Sequence, residues 1–497
     1  MIKKASAKFN QHPKGLFHLF FAEMWERFSF YGMRALLVLY MTLELGFTDS
    51  KAYGVYAAYF TLVYATTLLG GIVADRILGN QKAITIGGIL ITIGHLVLTL
   101  TNLYAFYIGL AFVIAGTGLF KANISTLLGQ LYDKSDPRRD SGFTIFYMGI
   151  NLGALLASLV CGYVGETFGW HYGFGLASIG MLSGLVTFLR GLNNFGSKGL
   201  PPKNSRLNDK TALGISREYL IYILSFLSVP LFAYFMMHEN LFDQALPLFG
   251  VIVLSWLFVL TLKAKKEERA SLLVIFVLMF FQVAFFSLFE QAGSSMTLFT
   301  ERHVNRAIAG FTLTSSQFQA LNPLFILLFG PVFSWLWTTL GKKNRDPYPP
   351  AKFILALIQV ASGFLVLKVG INLANLAGYT SASWLVLAYF LHTTGEICLS
   401  PVGLSLVTKL APQRLLSTLM GVWFLSIAFA NHLAGIFAKM SSVETIEGHI
   451  NNTFDALQKY EDTFSTIMSF AFIMALILLI ISPFLNRVFK NIEAKTR

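Results

Sequence analysis

Seven charged residues sit within stretches otherwise apolar enough to cross a bilayer: Glu23, Glu26, Arg27, Arg34, Lys121, Glu290 and Glu396. A charge at bilayer depth costs about 2.5–3.5 kcal/mol on insertion scales. A chain that carries so many must pair them, hydrate them or use them. Three of the four carboxylates could load a proton, and the three cations could hold an anion. That is the ionic equipment of a proton-coupled carrier for a charged or zwitterionic solute. Within the first stretch, Glu23, Arg27, Tyr31 and Arg34 are spaced four, four and three residues apart, so a helix brings them to one face, with Glu26 on its flank. Arg27 and Arg34 then stand about 10 Å apart along the axis. Two carboxylates beside one arginine form a cluster whose net charge turns on a single proton. Protonating Glu23 or Glu26 would release Arg27 to another anion, which a static ion pair would not require.

Other candidates are more ambiguous. Lys121 could pair with a first-helix glutamate. Glu290 is a second proton site or a structural bond to a neighbouring helix. Glu396 precedes Pro401 in a span expected to bend, and Asn322 precedes Pro323, where its amide could satisfy backbone groups freed by a kink. His95 and His392 are expected to pack rather than titrate, and Lys368 and Lys439 to snorkel from span ends. Cys161 and Cys398 both lie in apolar segments and build no disulfide framework or metal site.

The elements that must position these residues follow from composition. The chain has 497 residues, 55% hydrophobic and 13% charged, with a mean hydropathy of +0.62. A soluble domain carries about 25% charged residues, so this is an all-α polytopic membrane protein. The net charge of +13 is spread over short loops rather than gathered on one patch, which argues against a nucleic-acid partner. No cleavable signal is expected, because Glu23 follows directly on the apolar run Phe17–Phe21. No nucleophile–base pair, metal set or phosphate-cradling loop appears, so no enzyme is expected.

Apolar runs of about 20 residues recur fourteen times, near 16–43, 53–77, 83–101, 104–129, 142–164, 172–189, 217–237, 244–262, 271–298, 312–340, 352–373, 381–408, 415–438 and 463–486. Of the 38 lysines and arginines, 29 fall on one side, starting with Lys3, Lys4, Lys8 and Lys14. Four fall on the other (Lys51, Arg302, Arg306 and Lys459) and five within spans. By the positive-inside rule both termini are cytoplasmic. The polar stretch 191–216, broken by Gly199, Pro201 and Pro202, reads as a cytoplasmic linker. The expected plan is an amino-terminal six-helix bundle over 1–190, the linker 191–216, an inserted helix pair over 217–263 and a carboxy-terminal six-helix bundle over 264–497. Carriers of this plan bind at the midplane and rock around the site.

Gly71, Asp75, Arg76, Gly79 and Lys82 resemble the cytoplasmic loop motif of the major facilitator superfamily, glycine-x-x-x-aspartate-arginine-x-x-glycine followed by a base. Small residues there allow close helix packing, and Asp75 with Arg76 would form a conformational latch. The first-span cluster, together with Phe146-Tyr147 and Ile150-Asn151-Leu-Gly153 in the fifth span, reaches a family. The chain resembles the proton-dependent oligopeptide transporters of the bacterial type, over its whole length. The likeness takes in Gly118-Leu-Phe-Lys121, Phe289-Glu290-Gln291 and Gly395-Glu396 to Pro401, and the pair 217–263 resembles the two extra helices of bacterial members. Phe30 departs from the family, standing where it has the first of two tyrosines.

The resemblance implies a major facilitator fold and import of di- and tripeptides with protons, which are the coupling ion, no other cofactor being expected. It implies a monomer in the bacterial inner membrane. Arg27, Arg34 and Lys121 would clamp the peptide carboxylate, arginine with two parallel bonds. Glu396, with Asn322, would hold the amine. Glu23, Glu26, Arg27, Lys121 and Glu290 would couple the proton. Asn151 would bond the peptide backbone, while Tyr31, Tyr64 and Trp423 offer ring faces with polar tips. The rival expectation is a carrier in the same superfamily for another anion or zwitterion, such as an amino acid, nitrate or a drug. Glu396 discriminates, since a carrier of simple anions has no use for it.

Overall fold

The computed structural model describes residues 12–496 except 134–135, 203, 206, 212–213, 309 and 447–448, so the predicted cytoplasmic cations Lys3, Lys4, Lys8, Lys134, Lys203, Arg206 and Arg497 lie outside the described residues. The helices are α1 (Gly15–Leu39), α2 (Asp49–Val73), α3 (Gly79–Val97), α4 (Leu103–Gln130), α5 (Arg139–Phe168), α6 (Trp170–Phe195), α7 (Arg217–Met237) and α8 (Glu239–Lys263). They continue as α9 (Lys266–Phe289), α10 (Ser295–His303), α11 (Leu321–Lys342), α12 (Pro349–Asn372), α13 (Ala382–Leu410), α14 (Leu416–Met440) and α15 (Thr453–Thr496). Among the described residues, twelve helical segments are long and apolar enough to cross a membrane. One of them, Asp49–Val97, is α2 and α3 joined through a π-turn at Ala74–Leu78, and so holds two spans. The four charges of α1 leave it out of the twelve. Counting α9 and α10 as one broken span, the fourteen predicted spans are all present. Among the described residues, strands are confined to two-residue pairs in loops, such as Val304–Asn305 beside Thr380–Ser381.

The elements pack into two units. One comprises the chain up to Arg34 with Ala65–Tyr234, the other Ala35–Tyr64 with Phe235–Arg497. In the first, glycines let backbones touch. Gly87 and Gly94 of α3 meet Gly116 and Gly109 of α4, and a Cβ on either α3 glycine would lie 2.7 Å from the facing carbonyl oxygen. This is the small-residue packing that membrane helices use in place of a hydrophobic drive.

The same device holds α1. Gly149, Gly153 and Cys161 of α5 lie against Phe20, Met24 and Gly32, while Gly180, Gly184 and Gly191 of α6 lie against Phe28, Ala22 and His18. Two sides of α1 are thereby pinned. The side bearing Glu23, Arg27, Phe30 and Arg34 is turned away from both.

The expected linker begins inside α6, which runs on to Phe195. Beyond it the chain is stitched down. Gln81 N donates to Gly199 O at 3.0 Å and Gly199 N donates to Gln130 Oε1 at 2.8 Å. Gln130 donates to Asn80 Oδ1 at 3.0 Å, and Asn80 donates to Asn123 Oδ1 at 3.0 Å. Gly79 has a φ of +74° and Gly199 one of +72°, and a Cβ on Gly79 would lie 2.6 Å from Gly199 O. The last glycine of the loop motif is thus required where the linker docks.

In the second unit the segment 35–64 is fastened by a buried ion pair. Arg302 donates to both Asp49 oxygens at 2.7 Å and to Tyr460 Oη at 3.3 Å, and Val443 N donates to Asp49 Oδ2 at 3.1 Å. Thr61 Oγ1 donates to Ala428 O at 3.2 Å on α14. The inserted helix α8 is fastened to α14 by Lys439, which donates to Asp243 at 2.6 Å. Lys439, expected only to snorkel, is therefore an ion-pair partner.

Candidate functional site

The charged face of α1 folds into a buried cluster in the first unit. Arg27 Nε lies 3.1 Å from Glu23 Oε1 and also contacts Glu26 Oε2. Glu26 is fully buried, and Glu23 and Arg27 are each 3% exposed. Glu23 Oε2 and Glu26 Oε1 have no hydrogen-bond partner among the described residues. Two carboxylates thus converge on one edge of one guanidinium.

Phe30 explains how Lys121 joins the cluster. The Arg27 guanidinium lies 5.1 Å and the Lys121 ammonium 5.9 Å from the centre of the Phe30 ring. A cation over an aromatic face is stabilised by about 0.5–2 kcal/mol, more where water is excluded. The ring without its hydroxyl therefore keeps a function as a platform shared by two cations. Tyr31 packs edge-on to Phe30 at 5.5 Å, and Arg34 lies 5.7 Å from the Tyr31 ring. Cations and rings alternate along this face.

Asn151 is buried on α5 and donates to Tyr147 O at 3.0 Å in its own helix. Asp75 and Arg76 are exposed on the π-turn and form no ion pair among the described residues. The motif's later base is engaged elsewhere: Lys82 donates to Glu218 Oε1 of α7 at 2.6 Å, and Tyr222 donates to the same oxygen at 2.7 Å.

The second unit brings Asn322 and Glu396 together. Asn322 Nδ2 donates to Glu396 Oε2 at 2.9 Å and to Thr393 Oγ1 at 3.2 Å. Pro323 falls in the first turn of α11, where a missing N–H costs nothing. The kink-repair role considered for Asn322 is therefore not what the amide does; it aims the Glu396 carboxylate. Trp423 is buried, with its ring edge over Gly403 of α13, and Tyr64 is half-buried on α2. Glu290 is 6% exposed and opens a 3-10 turn, Glu290–Gly293, at the end of α9.

Sequence reasoning passed over Thr393, Gln291 and the pair Asp49–Arg302. Thr393 stands one turn before Glu396, a spacing that could have found it. Asp49 and Arg302 are 253 positions apart and carry no local signal.

Among the described residues, no group of histidine, cysteine or acidic side chains is arranged to hold a metal ion. Fourteen spans with buried, paired charges on both units define a secondary carrier of the major facilitator fold. Comparison with known proteins names the branch. The family model "PTR2: POT family" matches residues 81–457. An uncharacterized transporter, YclF, of Bacillus subtilis (strain 168) is 38% identical over 99% of this chain and 98% of its own. The peptide transporter YePEPT of Yersinia enterocolitica subsp. palearctica is 35% identical over 97% and 96%. A crystal structure of a peptide transporter POT mutant in complex with alafosfalin superposes with a TM-score of 0.84 at 36% identity, covering 97% of this chain and 96% of that one. The chain belongs to the POT family of proton-dependent oligopeptide transporters.

Proposed function

We propose that this protein is a proton-coupled symporter that imports di- and tripeptides by alternating access. The observation that carries the coupling is the convergence of Glu23 and Glu26 on Arg27 beneath the Phe30 ring. Loading a proton onto either carboxylate weakens its hold on Arg27, and the guanidinium becomes available to a peptide carboxylate. Lys121, on the same ring, offers a second positive charge, and Arg34 a third beside Tyr31. Glu396, held by Asn322, receives the peptide amine. Asn151 serves the peptide backbone, and Tyr31, Tyr64 and Trp423 line the side-chain pocket. Glu290 is a second proton site, and Asp75 with Arg76 act as the conformational latch.

The proton is the only coupling ion in this scheme, and no other cofactor takes part. The protein works as a monomer in the bacterial cytoplasmic membrane, with both termini inside. Relatives named as peptide transporters support the substrate class. A second reading is transport of another anion or zwitterion; the Asn322–Glu396 pair weakens it for simple anions such as nitrate, toward which a carboxylate aimed by an amide has no role, and leaves amine-bearing zwitterions such as amino acids as the rival.

Uptake of labelled dialanine into proteoliposomes is expected to require an inward proton gradient and to collapse with an uncoupler. Uptake unchanged by the uncoupler would remove the coupling claim. Glu26→Gln is expected to lower proton-driven accumulation roughly 5- to 150-fold, the reach of a coupling free energy of ~1–3 kcal/mol, while sparing peptide counterflow. Competition by dipeptides, free amino acids and nitrate separates the two substrate readings.

A further inference from the structure

The span that carries Glu290 is broken immediately after it. Helix α9 ends at Phe289, a 3-10 turn covers Glu290–Gly293, and Ser294 adopts φ −125° and ψ −99° before α10 begins. Irregular backbone at membrane depth is tolerated where it is buried in protein or lines a water-filled cavity, with its polar groups satisfied. Every residue from Glu290 to Ser295 is buried. Several side chains bond the carbonyls of the break, Thr297 and Tyr389 reaching Ala292 O and Ser294 reaching Glu290 O, and one side chain ties the pieces together. Gln291, fully buried, donates through Nε2 to Ser287 O at 3.1 Å and to Ala434 O at 2.9 Å, and its Oε1 accepts from Ser295 Oγ at 2.6 Å. Both amide donors and the acceptor are thus used. The three bonds reach back into α9, forward into α10 and across to α14.

We propose that Gln291 is a positioning residue for Glu290. Its side chain fixes the backbone turn on which the Glu290 carboxylate is mounted, so that loading a proton there is tied to the arrangement of α9, α10 and α14. Two features separate this from ordinary core packing. An apolar side chain would fill the space without joining the two halves of the span. The neighbouring polar groups also point into the same break: Thr297 Oγ1 donates to Ala292 O at 2.8 Å, and Gln319 Nε2 donates to Thr297 Oγ1 at 3.0 Å. The proposal rests on Glu290 being a proton site, and the test keeps the two claims apart.

Gln291→Leu and Glu290→Gln would be made singly and together, and each variant would be assayed for proton-driven dipeptide accumulation and for gradient-free counterflow. Glu290→Gln alone is expected to lose accumulation about tenfold or more; full accumulation would overturn the Glu290 assignment and this proposal with it. Gln291→Leu alone is expected to lose accumulation to a similar degree while keeping counterflow. Normal accumulation in that variant, beside a defective Glu290→Gln, would overturn the positioning role alone. In the double variant the losses are expected not to add, because Gln291 acts through Glu290. Additive losses would show that Gln291 acts independently and would overturn the proposal. Should Gln291→Leu fail to reach the membrane, Ser295→Ala removes one of the three bonds; it is expected to lose accumulation in the same direction to a smaller extent, and no loss would overturn the proposal.

Discussion

Phe30 shows how much chemistry one ring holds in place. It carries two cations on its face within a helix that also places two carboxylates beside one of them. Burying a charge is costly unless it is compensated, and here the compensation is partly quadrupolar. Phe30→Leu keeps an apolar side chain but removes that field, at about 0.5–2 kcal/mol for each cation. Dipeptide counterflow by Phe30→Leu is therefore expected to fall several-fold, whereas Phe30→Tyr, which restores the family's residue, is expected to transport like the parent. Equal transport by Leu and Phe would reduce the ring to packing. The spacing of Glu23, Arg27, Tyr31 and Arg34 was legible in the sequence because a helix has one period. The Lys121 contact was not, because the partner ring belongs to a helix three spans away in the chain.

Helices meet in this protein where side chains are missing. Gly149, Gly153 and Cys161 in α5, spaced four and then eight residues apart, set how α1 is rotated, and so which of its faces is left over for chemistry. Gly79 marks a different use, a close approach between a turn and the linker backbone. Gly79→Ala is expected to lose about 1–3 kcal/mol to backbone strain and more to the overlap with Gly199, lowering the melting temperature measured in detergent. Gly196→Ala is the control: its φ is +57°, but a Cβ there would meet nothing within 4 Å. A Gly79 variant no worse than the Gly196 one would show that the linker contact contributes nothing. Span positions were legible from hydropathy. The break at Glu290–Gly293 was not, because a glutamine in an apolar run signals no break until its three partners are known.

For the molecule as a whole, charge asymmetry is the strongest sequence signal, with 29 basic residues assigned to one side and four to the other. It fixes an expectation that labelling can test. Cys161 and Cys398 are buried, so an introduced cysteine can be read against little background. Lys459→Cys is expected to react with a membrane-impermeant maleimide in intact cells, and Lys198→Cys only after permeabilisation. The opposite result would invert the topology. Composition alone identified the membrane class, while the pairing Asp49–Arg302 needed the fold, since nothing near either residue announces the other. The docked linker has a consequence for how such a gene could be divided. Gly199 is bonded to Gln81 and Gln130, Lys198 O accepts from Gln81 Nε2 at 2.6 Å, and Glu218 N donates to Leu207 O at 3.3 Å. The described residues among 196–218 thus belong to the folded body of the first unit. A gene split after α6 would leave an amide ladder without its end, and a viable two-piece transporter would be cut downstream of α7.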